Sequence, residues 1–570
     1  MPTTAGNFSH RSLTVALALA ASAATALAGT KVFTTDADFQ QGALDGIVIG
    51  GGNLTLGSVG STFPVLWVAN AGEDTVSKID TRLNREVARY RTWFNTRGIH
   101  GAYDGPAPSR TTVDTDGNVF VLNRQFDNGK KAVLIKILAT GGIDRNNNGV
   151  IDTSSDLNNN GSVTGAEVLP LVDTNGNGVI DPGEIQDERI AWAVEVGAAN
   201  GIGRAACIGT DGNVWVGLYS QRAFYKVNGS TGATMSGPHP VNWTPYGCAV
   251  DRNGILYSAT LGSGYGRLDT NNPTNQRLVN IGSTYGIAIG ENRVYLGGNC
   301  SYYEVNATTE SSVYRNGVCN SGLSVDVNGD IVTGYGQAAK YSKTTGAEIW
   351  RNTSNAASYA VGVVADGDGN VWQVDYSNNR VSKFNGATGA FMAQLPVGTL
   401  PYTYSDATGI AARTQTTPSG FWSVILDGGA NNAKWYKICW QATVPAGAAA
   451  GSETRADNNQ ANLGNKNFEA RGNCTPLVQE GRFLELRAKL TAAPNGGSPV
   501  VGQIAAQTRP CDVDGDGDVD QADLNAINAA LNTNASSFSD ARDANSDGKI
   551  NVLDVRACTQ QCTRAGCATN

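Results

Sequence analysis

Apolar and polar residues alternate in short bursts through most of this chain, and Asp, Asn and Gly cut the bursts apart. Residues 363–391 show the unit most fully. An apolar strand meets an Asp-Gly turn, a second strand carries Trp372, an Asn-rich turn follows, and a third strand over 381–384 runs into Asn-Gly and Thr-Gly turns. Alternation at every second position with this punctuation predicts a meander of short antiparallel strands. The turn and its following strand recur at 116–120, 211–215, 253–256, 292–295 and 328–331. Third strands ending in Lys, Asp or Val follow at 76–80 and 224–227. One such sheet cannot bury both of its faces, so it predicts neighbours of its own kind. From Asn253 onward the spacing is about 40 residues, the period of a four-stranded propeller blade. Seven units begin near Val65, Pro108, Gly203, Pro245, Thr284, Cys319 and Tyr359. The predicted fold is mainly β, with a seven-bladed β-propeller over 65–418.

The first unit lacks an inner strand before Trp67. The sequence Thr408-Gly409-Ile410-Ala411-Ala412-Arg413 is the expected replacement. Pairing it with the first unit would close the ring and remove two open sheet edges.

The alternation stops between 143 and 187, and loops rich in Asp, Asn and Gly take its place. Asp144, Asn146, Asn148, Gly149 and Asp152 fit positions 1, 3, 5, 6 and 9 of a twelve-residue calcium loop. Asp156, Asn158, Asn160, Gly161, Thr164 and Glu167 fit positions 1, 3, 5, 6, 9 and 12 of the next, and Asp173, Asn175, Asn177, Gly178, Asp181 and Glu184 those of a third. Calcium takes six to eight hard oxygens, so ligands alternate along a tight loop, Gly at position 6 permits the turn, and Glu at position 12 binds bidentately. Ser155 stands at position 12 of the first loop, which is therefore expected to be the weakest. The apolar residues Val150, Ile151, Val179 and Ile180 fall at positions 7 and 8, where paired loops touch. Strand Ile190–Val196 is expected to resume the blade.

A different β pattern begins at 421 and is read as a small β-sandwich over 419–491. Its Trp422, Trp435 and Trp440 are expected in the core, with a sugar platform as the alternative. Residues 492–509, rich in Ala, Gly, Pro and Ser, read as a linker, and residues 29–64 as edge strands leading into the ring. Residues 1–28 read as a secretory signal, with His10 and Arg11, an apolar run at 13–24 and an Ala26-Leu27-Ala28 cleavage site. No transmembrane segment is expected, because no other apolar run is long enough. The ten cysteines suit an exported chain with disulfides. Local pairing predicts Cys300–Cys319, Cys439–Cys474, Cys562–Cys567 and Cys511–Cys558, with Cys207–Cys248 across two blades.

A second calcium segment lies at 511–554. Asp512, Asp514, Asp516, Gly517, Asp518, Asp520 and Asp523 fit positions 1, 3, 5, 6, 7, 9 and 12 of one loop. Asp543, Asn545, Asp547, Gly548, Lys549, Asn551 and Asp554 fit the same positions of another, with a helix expected at 523–531 between them. The ten Asp of this stretch face only Arg542 and Lys549. Such density repels itself until a cation neutralises it, so Ca2+ explains the acidity better than a basic partner does. Nucleic acid is not expected as a partner.

These paired loops, with Asp at position 12 and a helix between, resemble a dockerin domain. The resemblance implies a module that folds on calcium and docks onto a cohesin. Alternatively it is an attachment to a cell-surface protein. In that family positions 10 and 11 read the partner and are often small and hydroxylated. Here they are Gln521 and Ala522 in one loop and Val552 and Leu553 in the other. The repeated units resemble streptogramin lyase-like and NHL-type propellers, in which the residue before Gly at the start of each inner strand faces the channel. Those positions hold Ser109, Arg204, Tyr246, Tyr285, Ser321 and Thr408. None is the His of the lyases, so lyase chemistry does not carry over. His100 and His239 are expected in loops. The chain also has no GxSxG, P-loop or HExxH motif.

The favoured reading is a secreted, calcium-binding propeller whose channel, through Arg204, Tyr246, Tyr285, Ser321 and Thr408, holds a polar ligand or glycan. The alternatives are an extracellular polysaccharide lyase or glycoside hydrolase attached through the dockerin, and a structural cell-surface protein.

Overall fold

The computed structural model describes residues 30–57, 64–95, 97–290, 292–298, 300–317, 319, 322–355, 357–415, 419–429, 431–493, 497–507, 511–514, 518–536, 540–545 and 547–569. The signal segment, Ser321 and Asp516 lie outside these residues.

Six antiparallel four-stranded meanders and one three-stranded meander follow one another from Val65 to Pro396. Their inner strands include Pro108–Val113, Gly203–Ile208, Cys248–Val250, Gly286–Ile289, Gly322–Val325 and Ala360–Ala365. The local device is an Asp at the end of the inner strand. Asp366 accepts from the backbone N–H of Asp368 and Asn370, at 3.1 and 2.8 Å. Asp114, Asp251 and Asp326 do the same in their own sheets. Gly369, Gly117, Gly254 and Gly329 complete the turn with φ near +80°, a conformation that a Cβ resists. A third-strand lysine reaches the same carboxylate, as Lys340 does to Asp326 at 2.6 Å. The repeated Asp, Gly and Lys are thus one turn-and-clamp motif.

Apolar side chains fill the gaps between successive sheets. The last gap joins the seventh sheet to the first, with Val361, Val364, Trp372 and Val374 packed against Leu66 and Val68. Closure is made by residues 400–407 instead of 408–413. Ala407 O accepts from Trp67 N at 2.9 Å, Tyr402 N donates to Ala69 O at 2.7 Å, and Thr403 Oγ1 accepts from Ala69 N at 2.7 Å. The expected strand is instead largely the helix Ile410–Gln415. Ile410, Ala411 and Ala412 fall into three different inter-sheet cores, so the helix sits where the sheets converge. Small and branched apolar residues suit either strand or helix here, and packing decides.

Two further corrections concern the flanks. Strands Thr30–Phe33, Ile47–Gly50 and Asn53–Leu56 do not lead into the ring. They share a five-stranded sheet with Lys437–Thr443 and Val500–Gln507. That last strand occupies the expected linker. It pairs with Thr30–Phe33 and Asn53–Leu56 on one side and with Lys437–Thr443 on the other. A second five-stranded sheet centres on Phe483–Thr491. One core joins the two sheets, with Phe33, Phe39, Ile47 and Leu54 against Trp422, Trp435, Leu484 and Ile504. Trp422 and Trp435 are buried in it and Trp440 packs against it. The apolar residues Val500, Val501, Ile504 and Ala506 are few, and one side of the strand is covered by segments hundreds of residues upstream, so local composition reads as a linker.

All five expected disulfides form. No helix among the described residues is long and apolar enough to cross a membrane.

Candidate functional site

Two features gather polar chemistry: the calcium-type loops and the face of the ring where inner strands begin.

In the second insertion loop, the position-12 carboxylate of Glu167 accepts from the N–H of Leu157 and Asn158 with Oε1 and from Thr164 with Oε2. Glu184 binds Thr174 N and Asp181 N in the same way in the third. The position-1 carboxylate accepts from the N–H of positions 5 and 6 in the second loop, as Asp156 does from Asn160 and Gly161. Position 3 braces position 5, through Asn158 Oδ1 and Asn175 Oδ1. The C-terminal pair repeats the arrangement. Asp523 spans Val513, Asp514 and Asp520, and Asp554 spans Asn545 and Asn551. Asp520 and Asn551 also cap the helices Gln521–Ala529 and Val552–Thr559.

The first loop is spanned by a carboxylate that its own twelve residues do not supply. Glu188 Oε1 accepts from Arg145 N at 2.6 Å and Asn146 N at 3.3 Å, while Oε2 accepts from Asp152 N at 2.9 Å. These are positions 2, 3 and 9, the set that Glu167 holds in its own loop. Glu188 is 2% exposed and stands in place of Ser155. A twelve-residue template could not find it, because the carboxylate comes from beyond the third loop. Ile151 and Ile180 turn inward as expected, whereas Val150 is exposed.

The donors fit calcium, since Asp, Asn, Thr and Glu side chains at the ligand positions offer oxygen, and position 7, held by Lys549 in the last loop, would serve through its backbone carbonyl. Asp512, Asp514 and Asp523 bring carboxylate oxygens within 4.8 Å of one another, and so do Asp518, Asp520 and Asp523. Bound there, the cation would neutralise this charge and fix the loops.

Glu188→Gln is expected to weaken calcium binding at the first loop about 100-fold, beyond the effect of losing an outer partner. Calorimetry with calcium alone should show one site fewer at micromolar protein, with the C-terminal sites unchanged.

The insertion also shields a sheet edge. Glu86 N donates to Gly161 O, Asp156 N to Val87 O, and Glu86 Oε2 accepts from Val163 N at 2.8 Å, all along strand Arg85–Arg91 of the first sheet. It touches the two-sheet unit as well. Lys466 Nζ donates to Gly149 O at 2.7 Å, and Asn467 exchanges two hydrogen bonds with Gly142.

At the ring face, Arg204, Tyr246 and Tyr285 do come together. Arg204 Nη1 donates to Tyr246 Oη at 3.2 Å, and the Tyr246 and Tyr285 rings lie 5.0 Å apart. Thr408 is not with them. Its Oγ1 donates to Ala365 O at 2.7 Å, at the far end of an inner strand. Ser109 is buried, and the longer side chain is that of the next residue, Arg110. A β-bulge between Pro108 and Arg110 makes Ser109 the extra residue, and bulges re-aim side chains.

Several members of the cluster were not anticipated. Arg110 Cζ lies 3.5 Å from the Tyr404 ring centre, and Arg124 Cζ lies 4.5 Å from that of Tyr402. Tyr402 Oη bonds both Tyr103 Oη at 2.7 Å and Tyr285 Oη at 3.0 Å. Tyr402 and Tyr404 lie in the sequence PYTY at 401–404, outside the repeated turn-and-strand unit, so the repeat pattern does not point to them. Burial opposes the charge on Arg204, but the phenolic oxygens of Tyr404 and Tyr246 outweigh it and hold the guanidinium pKa above its ordinary value. Burial likewise pushes up the phenols of Tyr246, Tyr285 and Tyr402. At Tyr404 burial is overcome by Arg110 and then Arg204, which hold that phenol below its ordinary value.

Tyr103 covers the cluster and is 57% exposed. Its loop is pinned by Asp74, which accepts from His100 Nε2 and from Ala107 N, each at 2.9 Å. The hydrogen bond to Asp74 raises the His100 pKa above 6.5. The pin is therefore fully present below pH 6.5 and is lost as pH rises through the raised value. Amide exchange in residues 100–107 should accelerate across that rise, and His100→Gln should remove the pH dependence. His239, expected in a loop, lies in strand Thr234–Pro240 against Trp215.

Among solved structures, the chain is similar to virginiamycin B lyase from Staphylococcus aureus, at 11% identity and a TM-score of 0.37, over 52% of this chain and 86% of that one. A streptogramin B lyase matches at 11% identity and 0.36, over 61% and 96%. Hydrazine synthase from Kuenenia stuttgartiensis matches at 11% and 0.37, over 54% and 91%. No curated protein matches the chain. The C-terminal loops, with their carboxylate-spanned ends and capped helices, coincide with a family match, and residues 510–560 are a dockerin type I domain.

Proposed function

We propose that this is a secreted binding protein whose seven-bladed β-propeller holds a ligand on its Arg/Tyr face, with a β-sandwich as carrier and the dockerin as its point of attachment. The calcium loops of the insertion, with Glu188 as a ligand of the first, brace the propeller against the sandwich. The observation that carries the reading is the convergence of Arg110, Arg124 and Arg204 with Tyr103, Tyr246 and Tyr285 and with Tyr402 and Tyr404 of the closing segment. Such a set of aromatic faces and fixed donors suits recognition of a polar ligand or glycan. Attachment is supported by Val552 and Leu553, which stand 70% and 55% exposed where the dockerin family reads its partner. An exposed apolar pair on a small module suits a protein contact.

Two assays on the full chain with calcium test this. A glycan array should retain it, and Tyr285→Ala should abolish retention. A panel of type I cohesins should capture it, with Leu553→Asp weakening capture about tenfold or more. An empty array together with no cohesin capture by folded protein would sink the proposal, and turnover of a polysaccharide would replace it with the enzyme reading.

A further inference from the structure

We infer that the Arg/Tyr face takes an anionic ligand, with a carboxylate or sulfate group seated at Arg204 and Arg124 beneath Tyr103. This rests on the binding role proposed above and names the charge of the ligand.

Three buried guanidiniums on this face lack a carboxylate counterpart among the described residues. Arg110 and Arg124 are 1% and 0% exposed, and Arg204 is 9% exposed. Among the described residues none of the three forms an ion pair with Asp or Glu; their partners are backbone carbonyls and Tyr246 Oη. The chain treats other buried guanidiniums differently. Arg89 sits between Glu86 and Glu73, and Arg455 on Glu485. Burying an unpaired cation is costly, and three together repel one another. Cation–π contacts with Tyr404, Tyr402 and Tyr246 recover part of that cost but leave the net charge in place.

A second observation points to a ligand. Arg124 is fully buried, yet its Nη1 has no hydrogen-bond partner. Nε and Nη2 of the same group are both satisfied, by Ala107 O and Ala102 O. Ser109 Oγ is also buried without a partner. Tyr103 connects the free donor to Arg204, because its ring centre lies 5.0 Å from Arg124 Cζ and 5.7 Å from Arg204 Cζ. It is also the exposed member of the cluster, on the loop that Asp74 pins. A swing of this ring would bring both guanidiniums to solvent. An anion there would accept charge-assisted hydrogen bonds from Arg124 Nη1 and Arg204, which are stronger than neutral ones. The phenols around it would supply aromatic faces and O–H donors for the rest of the ligand.

The test is calorimetry on the full chain with calcium, at ionic strength held constant with sodium chloride. The probes are glucuronate, glucose and sodium sulfate. Glucuronate, sulfate or both should bind saturably, and glucose should bind at least about tenfold more weakly than glucuronate. Sulfate as tight as glucuronate identifies the anionic group alone as the determinant; glucuronate tighter than sulfate adds the sugar ring. Arg204→Gln should weaken anion binding about tenfold or more, a loss of at least one charge-assisted contact. If that variant does not fold, Arg204→Lys serves, since it keeps the charge and loses the planar fork. Equal binding of glucose and glucuronate would overturn the charge assignment and leave the binding role standing. Absence of saturable anion binding, with tyrosinate absorbance at neutral pH, would also overturn it, because Tyr404 would then be the counter-ion. Retention on the glycan array with Tyr285 dependence, as above, separates failure of this inference from failure of the binding role.

Discussion

Calcium removal with a chelator is expected to melt residues 511–567 while the ring stays folded. The two helices of this module, Gln521–Ala529 and Val552–Thr559, have nine and eight residues. Helices of that length are not stable alone in water. Their shared core is small: Val519, Leu524, Ile527, Ala544 and Ile550 around the Cys511–Cys558 bridge. Domains of this size rarely gain more than about 3–5 kcal/mol from a core without a staple. Against that stand Asp512, Asp514, Asp518, Asp520 and Asp523, crowded within one loop. Asp523 is 0% exposed and Asp520 and Asp512 are 3% exposed, so their charge is poorly screened without a cation. Amide exchange should show full loss of protection in both helices on chelation. The disulfides will keep the segment compact, so the readout should be protection, not size. Unchanged protection at Leu524 and Ile527 would refute the dependence.

Trp67→Ala should have the largest effect on the ring, about 3–5 kcal/mol from lost burial and the cavity left behind. The side chain is fully buried, and its Nε1 donates to Gly117 O at 3.1 Å, in the turn of the neighbouring sheet. Its backbone N–H holds Ala407 O of the closing segment. The residue therefore serves the first sheet, its seam with the second and the closure with residues 400–407. That loss is a large part of the total stability of a typical domain. Trp422→Ala, in the core of the two-sheet unit, is the control. Urea unfolding should show Trp67→Ala shifting the transition of the ring and Trp422→Ala that of the other unit. A shift of less than about 1 kcal/mol at Trp67 would mean that this seam does not limit the ring.

The repeats were legible because each carries its own punctuation: an Asp, a Gly with positive φ and an alternating strand within about ten residues. The second and third insertion loops and the C-terminal pair were legible for the same reason, since ligands and turn lie inside one short template. What escaped depends on distant partners. Glu188 completes a loop that begins at Asp144, across two other loops. Arg110 is displaced from the expected position by a bulge that spacing does not reveal. Tyr402 and Tyr404 come from a segment whose irregular backbone hides that it lies against Ala69. Strand Val500–Gln507 reads as a linker until Thr30–Phe33 is placed beside it.

That last pairing bears on the order in which the protein acquires its shape. The strand Thr30–Phe33 leaves the ribosome hundreds of residues before its partner Val500–Gln507. At about 5–20 residues per second the wait is tens of seconds. The ring is complete before either strand finds the other, so it is a guest built inside an unfinished host. Excision of residues 64–418 should therefore yield a self-sufficient body, whereas residues 419–507 alone would lack the four strands Thr30–Phe33, Ala43–Asp45, Ile47–Gly50 and Asn53–Leu56 and expose Ile504 and Trp422 to aggregation.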